Sequence, residues 1–285
     1  MLGMNLLLWR ANLTQDDRPL LEMLRSIGYR LVEVPLFGAD PVSCRHVSDL
    51  LDELGFVRTA LTARSADDNP ISPDPAIRRL AMENSKQAVD NTATLGANLL
   101  AGCFHSAFGS MSGAGPTREE WRWAVDGMAE LADYAEARGI TLSLEFLNRF
   151  ECYLLNTTAA TAQFVEDVGA ANVGILYDTC HANIEDPSIG LTLKRYCQYI
   201  NHVHLSENHR GTPGQGLVNW DETFVAMREI EYQGHFVVEA FGHNVPELIA
   251  PGHIWRTTFE SEEQLAQDAF SFFEPRIAQL MNVAA

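Results

Sequence analysis

Four residues in this chain combine types and positions suited to acid–base and metal chemistry: Glu145, Asp178, His204 and Glu239. Each stands at or near the end of a short β-rich run: Ser143-Leu144-Glu145, Leu176-Tyr177-Asp178, His202-Val203-His204 and Val237-Val238-Glu239. Carboxylates crowded into one mouth repel one another and resist ionisation. A divalent cation relieves that repulsion, leaving a small net negative charge with His204 neutral. Oxygen-rich ligands with one imidazole suit Mn²⁺, Mg²⁺ or Co²⁺ better than a structural zinc. A single acidic residue at a strand end is usually a helix cap or a solvated rim group. The metal reading rests on four such residues in register on consecutive strands. His202 reads as a barrel-interior histidine, and Cys103 and Cys180 as packing residues.

The loops after these runs are polar. Asn148-Arg149-Phe150-Glu151 follows the first, His181 lies just beyond Asp178, and Arg210 lies in the Gly- and Pro-containing stretch from Glu207 to Gly216. Loops on a rigid scaffold are where binding contacts concentrate. Glu151, His181 and Arg210 are therefore candidate substrate contacts, whereas Arg149 reads as a rim salt bridge. Trp9, Phe37, Phe108 and Trp255 are candidates for apolar walls.

These residues need elements to hold them. Strands are predicted at Asn5–Trp9, Arg30–Pro35, Val57–Thr62, Asn98–Cys103, Ile140–Glu145, Val173–Asp178, His202–Leu205 and His235–Ala240. Helical spacing lies between them, as in Leu20, Leu21, Leu24 and Ile27 or Val125, Met128, Leu131 and Ala132. Gly28, Gly55, Gly96, Gly139 and Gly234 each follow a helical stretch, where a C′ glycine belongs. Thr157 or Thr158 is placed to cap the helix through Phe164 and Val168. Strict alternation means parallel strands with helical crossovers. Eight such units in 285 residues predict one (β/α)8 TIM barrel domain over residues 1–285, with its active site at the C-terminal strand ends. A G-x-G-x-x-G fingerprint after the first strand is missing, which weakens a dinucleotide-binding reading. Alternation along each strand puts Ser143, Leu176 and Val237 one layer below Glu145, Asp178 and Glu239.

The bulk composition narrows the function classes. Acidic residues outnumber basic ones 38 to 20, a net charge of −18. Such a surface repels phosphate backbones and anionic lipid, so nucleic acid and membrane are not expected partners. The five cysteines include no C-x-x-C pair, which argues against a disulfide framework and fits a reducing, cytoplasmic setting. The apolar stretch Met4–Trp9 is short and lacks a basic flank, so it reads as a strand rather than a signal peptide.

Several strings are recognisable together. They are Leu144-Glu145-x-x-Asn148-Arg149-Phe150-Glu151, Asp178-Thr179-x-His181-x-Asn183-Ile184-Glu185, His204-Leu205-x-Glu207 with Arg210 and Pro213-Gly214-x-Gly216, Val238-Glu239-x-Phe241, and Trp255-Arg256. In these the chain resembles the ketose 3-epimerases, the D-tagatose and D-allulose (psicose) 3-epimerase family among the xylose-isomerase-like barrels. The likeness runs in order along nearly the whole chain. It implies a divalent cation, Mn²⁺ first with Co²⁺ or Mg²⁺ as alternatives, held by Glu145, Asp178, His204 and Glu239. It implies Glu145 and Glu239 as the acid–base pair, sugar contacts from Glu151, His181 and Arg210, and a homodimer or homotetramer. Phe108-Gly109, Cys180, His209 and Ala240 depart from the family pattern, and none is a metal ligand.

The implied reaction removes the C3 proton next to a C2 carbonyl through an enediolate and returns a proton to the opposite face. Two carboxylates suit that task better than one. An aldose–ketose isomerase and a keto-inositol dehydratase on the same barrel are the nearest alternatives. A related endonuclease would need several metals and a cationic groove, which the charge opposes. A non-catalytic sugar-binding barrel would not need two bases.

Overall fold

Short strands rich in Leu, Val and Ile, each followed by a helical crossover, pair in parallel, and eight of them here lie side by side in a closed ring. The computed structural model describes residues 1–282. The strands are β1 (Leu2–Asn5), β2 (Leu31–Pro35), β3 (Val57–Leu61), β4 (Leu99–Gly102), β5 (Thr141–Glu145), β6 (Val173–Asp178), β7 (Ile200–Ser206) and β8 (Phe236–Glu239). They form a closed barrel in sequence order, sealed by parallel pairing of β1 with β8. The helices are α1 (Arg18–Ile27), α2 (Pro41–Leu54), α3 (Pro75–Thr94), α4 (Arg118–Glu136), α5 (Thr158–Val168), α6 (Thr179–Glu185), α7 (Ile189–Tyr196), α8 (Trp220–Glu229), α9 (Pro246–Ile249) and α10 (Glu262–Asn282). The expected (β/α)8 architecture is the one observed. Among the described residues, no helix is long and apolar enough to cross a membrane.

The first strand is a correction. It was expected at Asn5–Trp9 but runs from Leu2 to Asn5, and Leu6–Leu8 form a 3₁₀ turn. The Asn5 side chain accepts a hydrogen bond from the Leu7 amide at 2.9 Å and caps that turn. A mostly apolar run with one Asn inside it does not reveal that this Asn caps a turn and ends the strand. The other strands lie within two residues of the expected bounds.

Local chemistry accounts for the helix ends. Asp40 and Asp74 cap α2 and α3 ahead of a first-turn proline, and Thr117 forms a capping box with Glu120. Thr157 caps α5, accepting from the Ala160 amide at 3.1 Å. The main core lies between barrel and helices, where leucines such as Leu21, Leu24, Leu51, Leu142 and Leu144 are fully buried. Each such side chain contributes about 1.5–3 kcal/mol relative to exposure.

Inside the barrel a second, smaller apolar cluster contains Leu61, Leu99, Ala101 and Leu176, with Leu7 and Val245. The pairing of β6 with β7 is irregular, because Ile175 faces Ile200 while Leu176 faces His202. The displaced Asn201 sends its side chain across Gly174 to accept from Ser143 Oγ at 2.5 Å. A Cβ on Gly174 would lie 2.3 Å from Asn201 Nδ2, so only glycine leaves room for that crossing. Beyond the irregularity, Asp178 pairs with His204 and Ser206 with Glu239, which brings the strand ends to one rim.

Candidate active site

Strands β5, β6, β7 and β8 carry Glu145, Asp178, His204 and Glu239 to this rim. One ligand atom from each lies within 4.8 Å of all the others. All four residues are buried. His204 Nδ1 is 3.2 Å from Glu239 Oε1 and 3.9 Å from Asp178 Oδ2, yet it has no aligned hydrogen-bond partner. The other ring nitrogen, Nε2, is taken by Glu33 at 2.5 Å. A buried, unpartnered imidazole nitrogen facing three carboxylates is the donor set that a divalent cation fits. The four residues form a candidate metal site.

The second layer of the site is polar and tightly connected. Arg210 Nη1 reaches Ser206 Oγ at 2.9 Å, Glu239 Oε2 at 3.2 Å and Asp178 Oδ2 at 3.4 Å. Its Nη2 lies 3.4 Å from Glu151 Oε2 and 2.9 Å from His181 Nε2. Arg210 adopts φ 60°, a backbone region that costs a side-chain-bearing residue about 1–3 kcal/mol. Two hydrogen bonds hold it there: its amide donates to Glu207 O, and its carbonyl accepts from the Phe241 amide, both at 2.9 Å. Glu207, wholly buried, ties the loop by accepting from the amides of Gly214 and Val218 and from Trp220 Nε1.

The Asn148 amide donates to His181 Nδ1 at 3.0 Å, and Arg210 Nη2 stands 2.9 Å from Nε2, so a neutral ring can accept from only one of these two donors. That Nε2 lies 3.5 Å from Glu145 Oε1. Burial holds the His181 pKa well below the ordinary value, and the positive charge of Arg210 adds to the effect. A neutral His181 and a charged Arg210 thus meet in one small region, an arrangement suited to contacting hydroxyl or carbonyl oxygens. Phe108 lines this pocket with Leu7, Phe37, Leu61 and Leu248. Trp9 packs against the core instead, and it is Leu7 that lines the pocket. Trp255 is 66% exposed and borders a neighbouring cleft with Phe150 and His209. Arg149 makes the expected rim salt bridge, with Glu185 at 2.8 Å.

Sequence reasoning passed over Glu33 and Asn5, both buried beneath the cluster. The available signal for Glu33 was a lone charge inside an otherwise apolar strand, Leu31-Val32-Glu33-Val34-Pro35. Such a charge must be heavily hydrogen-bonded to be tolerated.

Burial pushes Glu145 well above the usual carboxylate range, and Glu239 and Asp178 reinforce this. Burial also pushes Asp178 up, to about 7. For His204 burial works downward, but Glu33 and Glu239 outweigh it and raise the pKa. Glu239 alone of the four is lowered: burial opposes ionisation, and His204 and Arg210 overcome that. A group whose folded pKa is raised contributes stability that is lost as pH climbs through that pKa. For Asp178 the window runs from about 4, its unfolded value, to about 7. A cation needs these ligands deprotonated and so binds more tightly as pH rises. The increase in Tm on adding Mn²⁺ should therefore be larger near pH 8 than near pH 6, measured by calorimetry on chelator-treated protein. An equal or smaller increase at the higher pH would remove these residues from consideration as the metal site.

A closed parallel barrel with this cluster on its C-terminal rim defines the class. The chain belongs to the xylose isomerase-like TIM barrel family, whose model matches residues 21–275, and within it to the ketose 3-epimerases. It is 30% identical to the L-ribulose 3-epimerase of Mesorhizobium japonicum over 274 residues, 95% of this chain and 92% of that one. It is 30% identical to the D-psicose 3-epimerase of Agrobacterium fabrum, covering 87% of each. The structure of a Methylomonas D-allulose 3-epimerase in complex with D-allulose superposes with a TM-score of 0.91 at 30% identity, covering 96% of both chains. The chain is thus an enzyme of the isomerase class.

Proposed function

We propose that this enzyme is a divalent-metal-dependent ketose 3-epimerase. It inverts C3 of a free keto-sugar of the D-tagatose/D-sorbose, D-fructose/D-allulose or L-ribulose type. The observation that carries this reading is the placement of two carboxylates, Glu145 and Glu239, in one pocket from strands three apart in the ring. Glu145, Asp178, His204 and Glu239 would hold the cation, Mn²⁺ by preference. When bound, it supplies Lewis acidity that stabilises negative charge on the sugar oxygens as the proton leaves.

The chain's own groups do the rest. One glutamate takes the proton from C3, next to the C2 carbonyl, and the electron pair passes into an enediolate. The other glutamate, protonated, delivers its proton to the opposite face of C3. The two carboxyl groups end with their protonation exchanged and reset through solvent. His181 and Arg210 donate to sugar oxygens, and Glu151 accepts from a hydroxyl. Leu7, Phe37 and Phe108 exclude water from the reacting carbon, which strengthens every electrostatic contact there. The family membership and the likeness to the allulose-bound relative support a ketose as substrate.

Turnover in D₂O distinguishes this reaction from aldose–ketose isomerisation. The delivered proton comes from a carboxyl group that exchanges with solvent, so deuterium should appear at C3 of the product epimer. No step breaks a C1–H bond, so C1 should stay protiated. NMR of the product reads both positions at once. Deuterium at C1 with none at C3, or an aldose as the main product, would replace the epimerase reading with the isomerase one.

A further inference from the structure

Glu33 lies on β2, wholly buried, one step removed from the four candidate ligands. Its carboxylate accepts from four donors. Oε1 takes His204 Nε2 at 2.5 Å and Asn5 Nδ2 at 3.2 Å. Oε2 takes His202 Nε2 at 2.8 Å and Thr59 Oγ1 at 2.9 Å. Thr59 and Asn5 can reach it because the β1–β2–β3 register sets Asn5, Glu33 and Thr59 side by side. An ionised carboxylate only accepts, so both imidazoles turn an Nε2–H toward it. In each ring the other nitrogen, Nδ1, is left without a partner. Only His204 places that nitrogen among carboxylates. The same Asn5 Nδ2 that donates to Glu33 also donates to Glu239 Oε1 at 3.0 Å, so the carboxylate below and the rim above share one amide.

We propose that Glu33 is the positioning residue of the metal centre: by accepting the Nε2 proton of His204 it fixes the tautomer that presents the Nδ1 lone pair to the cation. The inference rests on the metal-site reading above. A ligand imidazole whose far N–H is held by a carboxylate is locked in orientation and made a better donor to metal. His202 shares the carboxylate, but its free Nδ1 is not among the carboxylates of the rim cluster, so its part is to fill the second oxygen.

Glu33→Gln is close to isosteric. Its amide puts N–H groups where a ring N–H already points, so one imidazole must turn over or lose its bond. Calorimetric titration of the metal-free protein should show the Kd for Mn²⁺ rising about 10–100-fold. Thr59→Val removes a donor to the same carboxylate without touching either ring, and it should leave that Kd unchanged. A folded Glu33→Gln variant with wild-type Mn²⁺ affinity would overturn the assignment, as would an equal loss in Thr59→Val. Should Glu33→Gln fail to fold, the wild-type protein decides. Loaded with Zn²⁺ as a diamagnetic probe, ¹⁵N-resolved imidazole spectra should show His204 protonated on Nε2 and not on Nδ1. A proton on Nδ1 would overturn the role of Glu33. Wild-type protein that takes up no metal at all would instead overturn the metal centre and this inference with it.

Discussion

Glu145→Gln and Glu239→Gln should each lower turnover by about 10²–10⁴-fold, the contribution of one positioned acid–base group. Both residues sit in the candidate metal cluster, so each variant is assayed at saturating Mn²⁺. A second readout isolates the proton role. Each variant keeps one glutamate, which can still remove and exchange the C3 proton of one epimer but not of the other. The two variants should therefore exchange opposite epimers in D₂O. Retention of more than about a tenth of wild-type turnover by either variant is too much for a missing acid–base group. Exchange of the same epimer by both would mean that one base serves both faces. Either result would end the two-glutamate mechanism.

Dialysis against a chelator should abolish turnover, and Mn²⁺ or Co²⁺ should restore it. Without a cation, Glu145 and Asp178 tend to keep their protons, and no Lewis acid stabilises charge on the sugar. The cation binds the folded site alone, so at a concentration of about 100 Kd it stabilises the fold by about 2.7 kcal/mol. That stabilisation appears as a rise in Tm of several degrees. Full turnover in protein shown by elemental analysis to be metal-free would leave the cluster without its role.

The barrel and its rim were legible because both follow from local pattern. Helices ended by Gly28, Gly55, Gly96 and Gly139 alternate with short apolar strands (after α8 it is Glu231, not the expected Gly234, that turns left-handed), and the strand ends carry Glu145, Asp178, His204 and Glu239. Thr157 as a cap and Arg149 as a rim ion pair follow from neighbours close in sequence or from simple charge logic. What escaped depends on distant partners. Glu33 is defined by His202 and His204, 169 and 171 residues away, and nothing near it in the chain announces them. The end of β1 escaped for a related reason. Met4 to Leu8 reads as one apolar stretch with Asn5 inside it, and only the folded cap shows that the strand stops there. Trp9 was the conspicuous aromatic, but the 3₁₀ turn gives the pocket to Leu7.

The seam between β1 and β8 has a bearing on how the protein is made. Asn5 and Glu239 are 234 residues apart, and the amide of one holds the carboxylate of the other. Contacts of such separation are slow to form, because loop entropy must be lost before they repay it. During synthesis, Glu33 can meet His204 before β8 has been made, but the rim lacks Glu239 until β8 docks beside β1. A cation at the candidate site would have its full ligand set, and add its full stability, only once the ring is shut. On the metal-site reading, full metal affinity would report closure, and a chain stalled with its seam open would lack that stabilisation when it is most exposed to aggregation.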